Sequence, residues 1–316
     1  MLKSFSKLMT ACVAVAALAT PSLSVADDWF PSAYGEGDEI GAANLLSDSL
    51  ALEASKLVTN GKVYALGIET NSATPAFAPR GFKIYIVQPD QQAGQTMGPN
   101  KMTYNDDVVE GWFGVGTQID GLGHLGIDNV YYNGYKASGF ATPNGLTKLG
   151  IEKVPPIVTK GVLLDMAAYY GVSRMEKGQA INSADIKAAA KAQGVSISKG
   201  SVVLLHTGWM TMLDEDPVAF ASGAPGLGRD GARYLASLGV VAIGGDSTAL
   251  EAVPHEEGSG NYEVHQILLA KNGVYILENI DSRELDADKA YEFMFVLSPA
   301  KITGAVQMII NPVAIR

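Results

Sequence analysis

Two patterns of apolar positions alternate from about residue 47 to the C-terminus. Short continuous apolar runs read as buried strands, and apolar residues spaced three or four apart read as helices. Ser47 caps a helix that Asn60-Gly61 ends, and Val63 to Ile68 is strand-like. Every second residue from Phe82 to Gln88 is apolar, which predicts a strand between Pro-, Gly- and Gln-rich loops long enough to rim a site. Gly161 to about Ala167 is a buried strand, followed by a helix with Asn182 as cap, Asp185 in its first turn and Gly194 as its stop. "GSVVLLHTGW" is a strand running into a Gly-Trp turn. "GRDGARYLASLGVVAIGGD" is a helix and then a strand over Val240 to Ile243. The pattern repeats as a helix from about Val264 to Lys271 and a strand from Val274 to Leu277, and "YEFMFVL" and "AVQMII" close the chain as strands. The alternation predicts an α/β fold, in which ligands sit beyond strand ends. Asp165, Thr207-Gly208-Trp209, Asp246 and Glu278 all lie at or just after such ends.

The first residues depart from this pattern. "MLKSFSKLMTACVAVAALATPSLSVA" carries Lys3 and Lys7, an apolar run from about Leu8 to Ala19 and a small-residue end at Ser24-Val25-Ala26. That is the layout of a secretory signal peptide over residues 1–26, and the run is too short for a stable membrane anchor. No repeat, low-complexity tract or long linker interrupts residues 27–316, which are read as one domain exported to the periplasm or beyond.

Cleavage would remove two lysines and no acids, leaving 21 basic side chains against 33 acidic ones and a formal charge of −12. Such an acidic chain is poorly suited to nucleic acid, whose binding depends on neutralising phosphates. The single cysteine, Cys12, leaves with the leader, so neither a disulfide nor a thiolate ligand remains. Any metal must be held by oxygen donors and the four histidines, His124, His206, His255 and His265.

Asp120 and His124 stand in "WFGVGTQIDGLGHLGIDNVYYNG", whose glycines at 114, 116, 121, 123 and 126 exclude a stable helix. Gln118 and Asp120 are two apart and point the same way from an extended segment. A glycine-rich hairpin with a turn-capping Asp fits these residues as well as a functional site does. His265 opens a helix, and Glu278 ends a strand where a carboxylate is costly to bury unless it is paired or metal-bound. Asp120, His124, His265 and Glu278 together would form a mixed N/O site suited to Zn²⁺ or Mn²⁺. His206, within an apolar strand, is read as a core or supporting histidine, and His255 as a solvated or rim residue. Asp165 and Asp246 are read as loop-fixing through backbone hydrogen bonds. Trp112, Trp209 and Tyr104 are candidates for an aromatic substrate pocket. No nucleophile elbow, dinucleotide fingerprint or P-loop is present.

With those residues in view, the chain resembles the cyclase-like metal hydrolases, which include bacterial kynurenine formamidase and isatin hydrolase. Their signature H-x-G-T-H-x-D-x-P-x-H aligns with "GVGTQIDGLGH", Gly114 to His124. Similar segments extend over nearly all the chain after the leader, from "NLLSDSLALEASKLVTNGKVYALG" to "INPVAI". The resemblance implies a swivelling β/β/α domain with a mixed sheet and flanking helices, assembled as a homodimer or homotetramer. It further implies Asp120, His265 and Glu278 as metal ligands and His124 as proton donor and acceptor. The helix-to-strand turn between His265 and Glu278 carries one extra residue. Gly114 and Gln118 replace the first two signature histidines, and Leu122 the proline. One divalent ion, Mn²⁺ or Zn²⁺, is therefore expected, with Gln118 or His124 completing its shell.

The implied activity is metal-dependent hydrolysis of a small aromatic or cyclic amide, of the arylformamidase type found in tryptophan catabolism. Two other readings stay open. One is a periplasmic binding protein or pseudoenzyme on the same fold, and the other is a hydrolase of lactones or carbamates.

Overall fold

A computed structural model describes residues 29–316, so the leader expected over residues 1–26 lies outside the described residues. Eleven strands of three or more residues occur among the described residues. They are β1 (Val63–Ala65), β2 (Phe82–Val87), β3 (Asp106–Gly111), β4 (Gln118–Asp120), β5 (Ile157–Asp165), β6 (Val202–His206), β7 (Ala242–Gly245), β8 (Tyr275–Glu278), β9 (Glu292–Leu297), β10 (Gln307–Ile309) and β11 (Val313–Ile315). Nine of these form one mixed sheet in the order β1-β11-β9-β5-β6-β7-β8-β4-β10.

The four central strands, β5 to β8, run parallel. They are nearly continuous runs of Val, Ile, Leu and Gly because both faces of a parallel sheet are covered. Antiparallel strands flank them on both sides. The helices Asp48–Ser55 and Ser183–Gln193 pack on β5, and Arg229–Ser237 packs against the second of these. This is the α/β fold that the alternation predicts, with the mixed sheet and flanking helices that the resemblance implies. No helix among the described residues is long and apolar enough to cross a membrane.

Several local signals act as expected. Ser47 accepts from the Leu50 N–H, and the Asp185 carboxylate accepts from the Asn182 N–H. Gly194 ends its helix in the left-handed conformation. The polar residues at the parallel strand ends form one row: Asp165 is in register with His206, and Asp246 and Glu278 complete the same edge.

Other elements depart from expectation. The strand from Phe82 does not join the main sheet. It pairs with Asp106–Gly111 in a separate two-stranded hairpin whose side chains Ile84, Ile86, Val108 and Val109 are exposed. Its alternation matches a strand, but periodicity carries no information about which partner covers the apolar side. The helix from Val264 is α-helical only over Glu263–His265 and then π-helical over Gln266–Lys271. A π-helical turn is how a helix takes up one surplus residue, and the family resemblance puts one in this segment.

The Phe293 ring lies directly over Gly161, its register partner on β9. A Cβ at position 161 would come within 2.1 Å of that ring. Gly161→Ala is therefore expected to lower the unfolding free energy by about 1–3 kcal/mol, as overpacking does, with an unchanged denaturant slope in urea melts.

Candidate metal centre

Strands β4, β8 and β10 place four polar side chains on one face of the sheet. Gln118 is opposite Glu278 on β8, and Asp120 is opposite Gln307 on β10. Gln118 and Asp120 share that face because side chains alternate along a strand. All four are buried. His265 reaches the same point from the start of its helix, with Nε2 3.6 Å from Asp120 Oδ2 and 3.4 Å from Glu278 Oε1. His124 follows β4 in a tight turn, its Nε2 4.0 Å from Asp120 Oδ2.

The amides hold the acids in place. Gln118 Nε2 donates to Asp120 Oδ1 at 3.1 Å and to Glu278 Oε2 at 3.0 Å. Gln307 Nε2 donates to Asp120 Oδ1 at 2.7 Å. Gln118 thus faces the acids through its amide nitrogen, whereas the sequence reading expected an oxygen ligand. Two neighbouring buried carboxylates need donors, and an amide oxygen turned toward them would repel both. His265 Nδ1 donates to Glu251 Oε1 at 2.6 Å, an arrangement that orients the ring with Nε2 toward Asp120 and Glu278. Glu251 escaped the sequence reading because it lies fourteen residues before His265 in an acidic loop. Residues Ala249 and Leu250, which carry the chain into it, are both left-handed. Left-handed non-glycine residues are also found at Tyr262 and Asn279. Each costs about 1–3 kcal/mol and persists only where the surroundings over-determine it.

Charge shapes the titration of each group. Burial would raise the Asp120 carboxyl, but His124, His265 and the Gln307 amide outweigh it and bring it to about 2. Burial and the Asp120 charge push Glu278 up. Burial would depress His265, yet Asp120, Glu251 and Glu278 hold it well above the ordinary histidine value. Burial keeps His124 below that value, against the pull of Asp120.

Three buried carboxylates thus surround one imidazole. Asp120 Oδ2 and Gln118 Oε1 are buried with no hydrogen-bond partner. Ligand atoms of Asp120, His265 and Glu278 all lie within 4.8 Å of one another. Bonds of about 2.1 Å would set neighbouring donors roughly 3–3.5 Å apart, close to the spacings around His265 Nε2. The residues fit a divalent ion.

A second group, Asp165, His206 and Asp286, has similar composition but fits one poorly. Asp165 accepts from the Ala168 N–H, and Lys289 lies 3.5 Å from Asp165 and 2.9 Å from Asp286. His206 Nδ1 meets Ser282 Oγ at 2.8 Å. Asp246 accepts from the Thr207 N–H. These are the loop-fixing and supporting roles read from the sequence. His255, by contrast, is not simply solvated: its Nδ1 lies 3.3 Å from Glu251 Oε2, behind the first group.

A cavity of about 340 Å³ opens onto the first group, lined by Phe77, Arg80, His124, Tyr262, His265 and Glu278 among others. The three expected aromatic residues are elsewhere. Trp209 is buried against Met210 and Phe220, with its indole N–H donating to the Phe220 carbonyl. Trp112 is half exposed beyond β3. Tyr104 is tied through its backbone to Gln91. Phe77 and Tyr262 supply the aromatic wall instead. Both sit in loops without periodicity, where only the tertiary path reveals what they face.

Comparison with known proteins gives this arrangement a context. The profile of the putative cyclase family matches residues 64–252. A crystal structure described as a novel cyclase superposes with a TM-score of 0.81 at 30% identity, covering 92% of this chain and 99% of its own. An isatin hydrolase bound to the product analogue thioisatinate shares the fold at 19% identity and a TM-score of 0.60, covering 85% of this chain and 98% of that one. So does a predicted metal-dependent hydrolase from Bacillus stearothermophilus, at 20% identity and a TM-score of 0.52, covering 81% and 98%. No curated protein sequence matches the chain.

Mn²⁺ should raise the melting temperature of the chelator-treated protein, by an amount corresponding to about 2.7 kcal/mol at a hundredfold excess over Kd. Glu278→Gln should abolish that gain, because it removes one of the three ligand groups. Glu251→Gln should weaken Mn²⁺ binding by roughly 10–100-fold in titration calorimetry.

Proposed function

The chain belongs to the putative cyclase family, and we propose that it is a metal-dependent hydrolase of a small-molecule amide or lactam. The observation that carries this reading is the convergence of Asp120, His265 and Glu278 beside the cavity, with His124 next to them and Asp120 Oδ2 without a hydrogen-bond partner. Those three residues would hold one divalent ion, Mn²⁺ or Zn²⁺. Such an ion supplies Lewis acidity, polarising a carbonyl and making water a stronger nucleophile.

The chain's own residues supply the rest. His124 lines the cavity and stands 4.0 Å from Asp120, placed to exchange protons with substrate rather than to be sealed within the ligand set. It accepts the proton of the attacking water as the new C–O bond forms. It then delivers that proton to the nitrogen as the C–N bond breaks, so the balance closes without another reactant. Glu251 orients the His265 ring, and Gln118 and Gln307 keep Asp120 from turning. Phe77 and Tyr262 flank the space for a flat substrate. The isatin hydrolase of the same fold binds a small aromatic product analogue, a ligand of the size this reading expects. The leader-like first 26 residues place the reaction outside the cytoplasm in this proposal.

Metal analysis with turnover of isatin and N-formylkynurenine by the Mn²⁺-loaded protein tests it. His124→Gln is expected to lower kcat by about 10²–10⁴-fold while retaining its metal. A wild-type protein that takes up no metal and opens no amide would instead be a binding protein.

A further inference from the structure

Arg80 lines the same cavity and has no role in holding the metal ligands. Its Nη1 donates to the Gly114 carbonyl at 3.3 Å, and among the described residues it forms no ion pair. Most other arginines here do: Arg174, Arg229, Arg233 and Arg283 all meet acids. The exception besides Arg80 is Arg316, the last residue of the chain. A guanidinium half-buried in a cavity without a counter-charge has given up hydration for nothing visible, unless an anion completes it.

The place it occupies is also specific. A Cβ on Gly114 would lie 2.8 Å from Arg80 Nη1 and 2.8 Å from Gln307 Oε1. Gly114 stands where the family signature has its first histidine. With no side chain at 114, the guanidinium enters that volume. Gln307, whose Oε1 borders the same volume, in turn donates to Asp120. The Arg80 charge is felt at both His124 and Tyr262, on the cavity wall. Guanidinium geometry matches a carboxylate through paired N–H donors.

We infer that Arg80 is a specificity-determining residue, and that the substrate is a small acyl compound carrying a carboxylate close to the carbonyl that is attacked. The inference rests on the hydrolase reading for the reaction, but the anion site stands on its own geometry. It makes the glycine at 114 part of the recognition device: a side chain there would have to displace the guanidinium.

Equilibrium binding separates the two. Calorimetry on the Mn²⁺-loaded protein would compare benzoylformate with its uncharged methyl-ketone analogue. Wild type is expected to prefer the acid by about tenfold or more, the worth of a charge-assisted contact. Arg80→Met, which keeps aliphatic bulk, should bring the two ligands to within about twofold, and Arg80→Lys should keep part of the preference. Gly114→Ala should weaken the preference by displacing the guanidinium. Absence of acid binding in wild type, an equal affinity for both ligands, or a preference that survives Arg80→Met overturns the inference. Because no turnover is read, an inactive protein that still shows the Arg80-dependent preference refutes only the hydrolase reading. An active one that binds both ligands alike refutes only the anion site.

Discussion

The burial of Asp120, Glu278 and Glu251 around the one imidazole of His265 is the constraint on which the site depends. Removing one member of a buried charge pair costs about 3–5 kcal/mol because the survivor is left uncompensated. The fold answers with donors rather than with solvent. Gln118 and Gln307 turn their amide nitrogens to the acids, and the helix start at His265 gives Glu251 both a backbone and a ring N–H. The left-handed pair at Ala249 and Leu250 is the backbone cost of bringing Glu251 behind the histidine. At about 1–3 kcal/mol per residue, that strain is comparable to the loss of a charge partner, and it is tolerated where the charge cluster demands it.

The same electrostatics distinguishes two groups of similar composition. Around Asp165, His206 and Asp286, a lysine and a helix N–H complete the balance, so the group closes on itself. Around Asp120, His265 and Glu278, no lysine or arginine pairs with the carboxylates among the described residues, and an aspartate oxygen is left without a partner.

The altered signature has a structural logic of its own. Losing the imidazole at position 118 leaves an amide that clamps two acids, and losing the one at position 114 opens a volume that Arg80 and Gln307 fill.

Local signals determined much of this protein. The continuous apolar runs of β5 to β8, the Ser47 cap and the Gly194 stop depend on neighbours in sequence, and they mark the elements and the strand ends where the polar row lies. Spacing likewise placed Gln118 and Asp120 on one face of an extended segment. Tertiary structure alone decided which distant residues meet that face. Glu251, Gln307, Arg80 and Tyr262 come from loops and an edge strand with no periodicity of their own. It also sent Trp209 into a side cluster and set the Phe82 strand in an exposed hairpin, because an apolar pattern records that burial is favourable but not against what.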